Sequence, residues 1–164
     1  MAVTTAARPS TARGPRPRPA AARVSTVVAA RARSPLPAAV ESLRRHAPDV
    51  EVLLAVGRCP SAQRNLGAEE AEGEVVAFLD EDSLPAADWH ERLREWYANP
   101  RVVGVCGPNL APRDERRLAA RAVDAVFTSR FGLFGKQAKY RSMNLSEAGD
   151  NRLILCNASF RFRA

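Results

Sequence analysis

Two aspartates flank a glutamate at positions 80 to 82, directly after the apolar run Val75-Val76-Ala77-Phe78-Leu79. If strand geometry carries through, Asp80 and Asp82 project to one side and Glu81 to the other. Two carboxylates facing one cavity repel, and one of them tends to hold a proton unless a divalent cation keeps both ionised. Hard oxygen ligands select Mg2+ or Mn2+, ions that retain waters and accept phosphate oxygens. The bland reading of an Asp-x-Asp is a solvated acidic turn that caps the next helix. Its place at the end of a buried strand, on the edge where α/β sheets bind ligands, favours a metal and diphosphate anchor instead.

The elements that must position this triplet are legible in the hydropathy pattern. Residues 24–30 form an apolar, β-branched run expected of a strand buried on both faces. A helix is predicted after Ser34, with Leu36, Val40, Leu43 and Ala47 on its inner face and Pro48 as its stop. A second strand spans 50–56. A helix capped by Ser61 then runs to about Ala71, with Ala62 and Leu66 inward and Gly73 ending it. The third strand, 74–79, leads into the triplet. A helix from about Ala87 is expected to bury Trp89, Leu93, Trp96 and Tyr97, ahead of a fourth strand over 101–106. An amphipathic helix over 114–129, a mobile loop over 130–151 and a short strand over 153–156 complete the reading. His46 and His90 are expected on helix surfaces. Strands alternating with helices argue for a parallel sheet covered by helices.

Composition limits the function. Among 164 residues, 46% are apolar and 26% charged, as in an ordinary globular domain. Residues 1–23 hold five arginines, four prolines and no acid, and are read as a disordered tail ahead of a domain over 24–164. These arginines carry five of the seven net positive charges, leaving about +2 elsewhere, so nucleic acid is not an expected partner. Cys59, Cys106 and Cys156 show neither zinc nor disulfide spacing. No apolar run approaches the ~18–20 residues that span a bilayer. The cytoplasm is the expected compartment. Peripheral contact at the inner membrane face would use Arg116, Arg117 and Arg121, whose blander fate is a solvated basic face.

The stretch Gln63-Arg64-Asn65-Leu66-Gly67, the strand ending in Asp80-Glu81-Asp82-Ser83, and the segment Cys156-Asn157-Ala158-Ser159-Phe160-Arg161 together resemble the donor-binding core of family 2 glycosyltransferases. The resemblance covers roughly residues 24–162. It implies a GT-A fold, a Rossmann-like parallel-core sheet flanked by helices and here incomplete at its C-terminus. It also implies a nucleotide-diphosphate sugar donor, a glycan or lipid-linked acceptor, Mg2+ or Mn2+, and inverting transfer to a hydroxyl. On this resemblance Asp82 is the main metal ligand, assisted by Asp80. Ala30, Arg31, Arg64, Asn65, Asp80 and Glu81 line the nucleotide sugar, and Gly67 permits close helix packing.

The sequence departs from the family in two places. Val56-Gly57-Arg58 stands where family members carry an acidic residue against the base. The family's catalytic base belongs to an acidic motif after the Asn-x-x-Phe-Arg segment, and no residue up to Ala164 matches it, so the base is expected beyond that point. Glu147 and Asp150 are the acids nearest that region. Two rival readings follow. Phe78-Leu79-Asp80-Glu81-Asp82 also resembles the nucleophile motif of haloacid dehalogenase-like phosphatases, in which Asp80 would attack phosphorus, although that motif follows a first strand and not a third. The other rival is a nucleotide-binding fragment without catalysis.

Overall fold

The computed structural model describes residues 22–31, 36–110, 116–129 and 155–162. Among the described residues nine elements follow in order: β1 (Val24–Arg31), α1 (Ala38–His46), β2 (Glu51–Gly57), α2 (Pro60–Glu70), β3 (Val75–Asp80), α3 (Trp89–Tyr97), β4 (Gly104–Cys106), α4 (Leu118–Thr128) and β5 (Asn157–Arg161). The strands form one sheet in the order β2-β1-β3-β5-β4. β1 pairs in parallel with β2 and β3, whereas β5 runs antiparallel between β3 and β4. The predicted α/β class and parallel core are present. α4 belongs to a compact unit separate from the sheet, and none of its residues is buried.

Alternation along β1 and β3 divides the core. Val28 and Leu79 face α1 through Ala39, Val40 and Leu43. Val24, Val75 and Ala77 on the same side meet α3 through Leu93 and Tyr97, and Trp89 bridges these two clusters. Val27 and Val76 face the opposite way and pack on Ala68 and Ala71 beside α2. Helices therefore cover both faces of the sheet centre. That arrangement requires β1 and β3 to be apolar on both sides, as their sequences are.

Several predicted contacts come out differently. Leu36 precedes α1 and is exposed. On α2, Ala62 and Leu66 face outward, and Gln63, Gly67 and Ala68 are buried instead. The helix is turned because Gly67 lies where an added Cβ would stand 2.5 Å from Val27 Cγ1, so only glycine lets the two backbones approach this closely. Ser61 does not cap α2: Cys59 is the N-cap residue, without a side-chain bond.

On α3, Trp96 is 41% exposed, because the inward stripe is His90, Leu93 and Tyr97. His90, expected on the surface, is only 4% exposed, with Nε2 2.9 Å from Thr26 Oγ1 inside the sheet-facing layer. The fourth strand is reduced to three residues. The last strand is Asn157–Arg161, which lies after the apolar run at 153–156. Residues 1–21, 130–151 and 153–154 fall outside the described residues, so the tail, loop and early-strand expectations rest there. Ala22 is already buried, and the Arg23 carbonyl accepts from Val75 N at 3.1 Å.

Polar ties fix the sheet's two ends. At the amino end, Ser25 Oγ donates to the Glu51 carboxylate and accepts from Gly73 N, while Glu72 N donates to Glu51 Oε2. At the β5 side, Tyr97 Oη donates to buried Ser159, and Arg161 lies over the Tyr97 ring while donating to the Tyr97 carbonyl. Burial raises the Tyr97 pKa, so its hydroxyl remains a donor.

Replacing Gly67 with Ala should cost about 1–3 kcal/mol in urea unfolding, because Val27 must move to admit the methyl group. A second test concerns pH. Burial lowers the His90 pKa from 6.5 to about 4. Between these values the unfolded chain takes up a proton that the folded chain refuses, so stability falls as pH drops through that window. The expected loss is about 2 kcal/mol between about pH 7.5 and pH 5. His90→Gln should flatten this dependence.

Candidate functional site at the carboxyl edge of the sheet

The chain passes from β1 to β2 on one side, then crosses back over β1 through α2 to place β3 on the other. A crevice opens where such a reversal occurs, outside the carboxyl ends of the adjacent strands. Arg31 ends β1, Gly57 ends β2 and Asp80 ends β3 at this edge. Asp80 stands beside Ala29 in the register, and Asn157 at the start of β5 stands beside Leu79.

The triplet does not remain extended. β3 stops at Asp80, Glu81 and Asp82 form a turn, and Ser83 N closes it by donating to the Asp80 carbonyl at 3.1 Å. The expectation that Asp80 and Asp82 share one side of a strand therefore fails, and the three carboxylates take three different situations. Asp80 Oδ1 accepts from Arg64 at 2.6 Å. Glu81 accepts from Arg31 N at 3.0 Å, and its carbonyl accepts from Ala39 N at the start of α1. Glu81 thereby joins the exits of β1 and β3 to α1. Asp82 is exposed and has no partner among the described residues.

The cations differ in the same way. The Arg31 side chain is 88% exposed and stands 3.9 Å from the Glu81 carboxylate, a distance and exposure at which an ion pair contributes little. Arg64 is 16% exposed, holds Asp80, and has a buried Nε without an acceptor among the described residues. It has used only part of its donor fork. Asn65 is exposed on α2, and Arg58 is exposed just after β2. Ala30 is buried, with its carbonyl already taken by Gln63.

Two residues that hold this edge carry signals that hydropathy does not register. Buried Gln63 donates through Nε2 to the carbonyls of Ala30 and Ala55, tying the ends of β1 and β2 to α2. Trp89 Nε1 donates to Asn157 Oδ1 at 3.1 Å, fixing the indole beside the β3 exit. Trp89 lies on the face that the apolar pattern places inward, whereas Gln63 is a polar residue that counting apolar positions does not place there. Glu147 and Asp150 lie outside the described residues.

The described residues contain no group of three or more His, Cys, Asp or Glu placed to hold a metal. Among the described residues the edge offers one carboxylate without a partner, Asp82, and one arginine with an unmet donor. That donor set fits a cation that takes most of its ligands from water and phosphate, since Mg2+-type ions need only one or two protein carboxylates.

The family model described as Glycosyl transferase family 2 matches residues 27–162, a span that contains every feature of this edge. The chain belongs to glycosyl transferase family 2. Comparison with curated proteins and with solved structures finds no match. In this family 2 glycosyltransferase chain the acidic triplet ends the third strand of the chain and not the first, which also removes the placement that the phosphatase motif requires.

Gln63→Leu keeps the volume of the side chain while leaving the Ala30 and Ala55 carbonyls without their donor. The expected cost is about 2–4 kcal/mol in chemical denaturation, from two acceptors at about 1–3 kcal/mol each with partial rescue by water. An unchanged midpoint would mean that Gln63 does not hold the edge.

Proposed function

We propose that this chain binds a nucleotide-diphosphate sugar at the β1/β3 exit and transfers the sugar, with inversion, to an acceptor hydroxyl in a metal-dependent reaction. The observation that carries the reading is that, among the described residues, Asp82 just past β3 is an exposed carboxylate without a partner and Arg64, which reaches the end of β3 through Asp80, has a buried Nε without an acceptor. A metal-bound diphosphate complements both. Asp82 is the protein ligand to Mg2+ or Mn2+. Bound there, the cation would neutralise charge developing on the leaving diphosphate.

Arg64 and Asp80 act as an exchangeable pair. When an anionic donor arrives, the guanidinium turns its unused face to a phosphate oxygen, and Asp80 becomes available to the ribose or to a metal-bound water. Arg31 adds an exposed cation over the diphosphate, and Asn65 lies on the nucleotide side of α2. Glu81 and Ala30 shape the floor, one through its ties to β1 and α1 and the other as the buried strand end. With Val56-Gly57-Arg58 at the β2 exit, the base meets an apolar and cationic surface and no carboxylate.

Inversion needs a carboxylate that takes the proton of the attacking hydroxyl. Asp82 is assigned to the metal, Asp80 to the donor and Glu81 to the strand exits, and Glu147 and Asp150 are the candidates for that step. Exposed Arg116 and Arg117 just before α4, and exposed Arg121, Val123, Val126 and Phe127 on it, are the features that support a lipid-linked acceptor met at the inner face of the membrane.

Calorimetry with UDP, GDP and TDP in the presence of Mn2+ or Mg2+ tests this reading. The expected result is metal-dependent binding of one nucleoside diphosphate, weakened at least about tenfold, or about 1.4 kcal/mol, by Asp82→Ala. Arg64→Ala should weaken diphosphate binding while sparing the weak binding of the nucleoside alone. Absence of binding with any of the three and either metal would sink the proposal. Hydrolysis of an aryl phosphate that disappears in Asp80→Asn would favour a phosphatase instead.

A further inference from the structure

The exit of β2 holds a residue whose chemistry narrows the donor. The strand order β2-β1-β3 puts that exit two strand spacings, about 10 Å, from the exit of β3. Gly57 is the register partner of Arg31, so Arg58 is the first residue past the paired edge, and it is exposed. With the diphosphate at Asp82 and Arg64, as proposed above, ribose and base cross the end of β1 and meet Arg58. On the other side of β3 stands Asn157, which already accepts from Trp89 Nε1.

The stretch from Val52 to Ala68, which includes this exit and most of α2, contains arginines and no acid. Glu51, the acid just before it, stands at the opposite end of β2, where its carboxylate accepts from Ser25 Oγ and Glu72 N. On the β1 side, Glu81 is taken by Arg31 N. A base edge arriving at β2 therefore meets the donors of Arg58 and no side-chain carboxylate from this stretch.

A guanidinium carries N–H donors in a fixed fork and no acceptor, so it pairs best with two acceptors side by side. Guanine presents O6 and N7 in that arrangement. Uracil and thymine place the N3–H donor between O2 and O4, and adenine sets its amino group beside N7, so with each of them one arm of the fork meets another N–H. Cytosine has adjacent acceptors in N3 and O2, but O2 lies next to the glycosidic bond and is turned back toward the ribose. We infer that Arg58 determines base specificity by taking the O6/N7 edge of guanine, which makes the donor a GDP-sugar; this rests on the proposed function and narrows it to one base.

Calorimetry of the full chain with Mn2+ and, in turn, GDP, UDP, TDP, ADP, CDP and 7-deaza-GDP, in which carbon replaces N7, tests the assignment. GDP should bind at least about tenfold tighter than each of the others. Arg58→Met removes a positive charge that all the diphosphates share, so the ratio of affinities is the readout, and GDP should fall to within about threefold of UDP. UDP, TDP or ADP bound as tightly as GDP, CDP bound ahead of it, 7-deaza-GDP bound equally well, or a GDP preference that survives Arg58→Met would each overturn the inference while leaving the proposed function standing. The 7-deaza comparison uses the unaltered chain and decides even if the variant does not fold. Absence of binding by every nucleoside diphosphate would overturn the inference together with the proposed function.

Discussion

At Gly67 the backbone of α2 comes so close to β1 that no Cβ fits before Val27, and one turn earlier Gln63 reaches into the same interface to hold the carbonyls of Ala30 and Ala55. These two contacts fix how α2 crosses the first strand. The crossing in turn separates β2 from β3, creates the reversal in strand order, and leaves a crevice at the carboxyl edge. Arg64, next to Gln63 on α2, is delivered to the β3 exit and there meets Asp80. A helix held a few ångströms higher would leave the arginine short of the triplet and the two carbonyls unpaired in a buried layer, where each costs more than a hydrogen bond ordinarily contributes.

The same edge shows how three adjacent acids come to differ. Glu81 joins β1, β3 and α1 and is thereby structural. Asp80 is neutralised by a mostly buried arginine. Asp82, one residue past the start of the turn, is left to solvent. The turn closed by Ser83 N decides this, because continued strand geometry would have made the two aspartates equivalent. Family 2 membership gives the division a chemical meaning. A transferase of this family needs an anchor for its donor, and under the proposed function Asp82 and Arg64 supply it.

Much of the fold was legible because burial on both faces forces continuous apolar strands, and β1 and β3 could be read to within a residue or two. Gly67 was legible as a packing residue for a related reason. What escaped was burial driven by hydrogen bonding. Gln63 and His90 look like surface residues by type, and each is drawn inward by a partner distant in sequence: strand-end carbonyls for the one, Thr26 for the other. Placing Ala62 and Leu66 inward on α2 follows from counting apolar residues without the glycine's steric freedom. β5 was misplaced because Asn157-Ala158-Ser159-Phe160-Arg161 is polar, and its pairing with β3 and β4 compensates through Ser159 and Arg161, which local propensity does not reveal. At the site, sequence located the acids and could not assign their separate roles, since a one-residue change from strand to turn redirects each side chain.

The central claim is that a metal-bound nucleoside diphosphate sits at the β1/β3 exit. Paramagnetic broadening of backbone amide resonances by Mn2+, in the presence of saturating nucleoside diphosphate, reports the position of the cation directly. Loss of signal centred on Glu81, Asp82 and Ser83, extending to Arg31 and Asn157 and absent in Asp82→Ala, is the predicted result. Broadening centred instead on the amino end of the sheet, around Glu51, Glu72 and Gly73, or on α4, would contradict it.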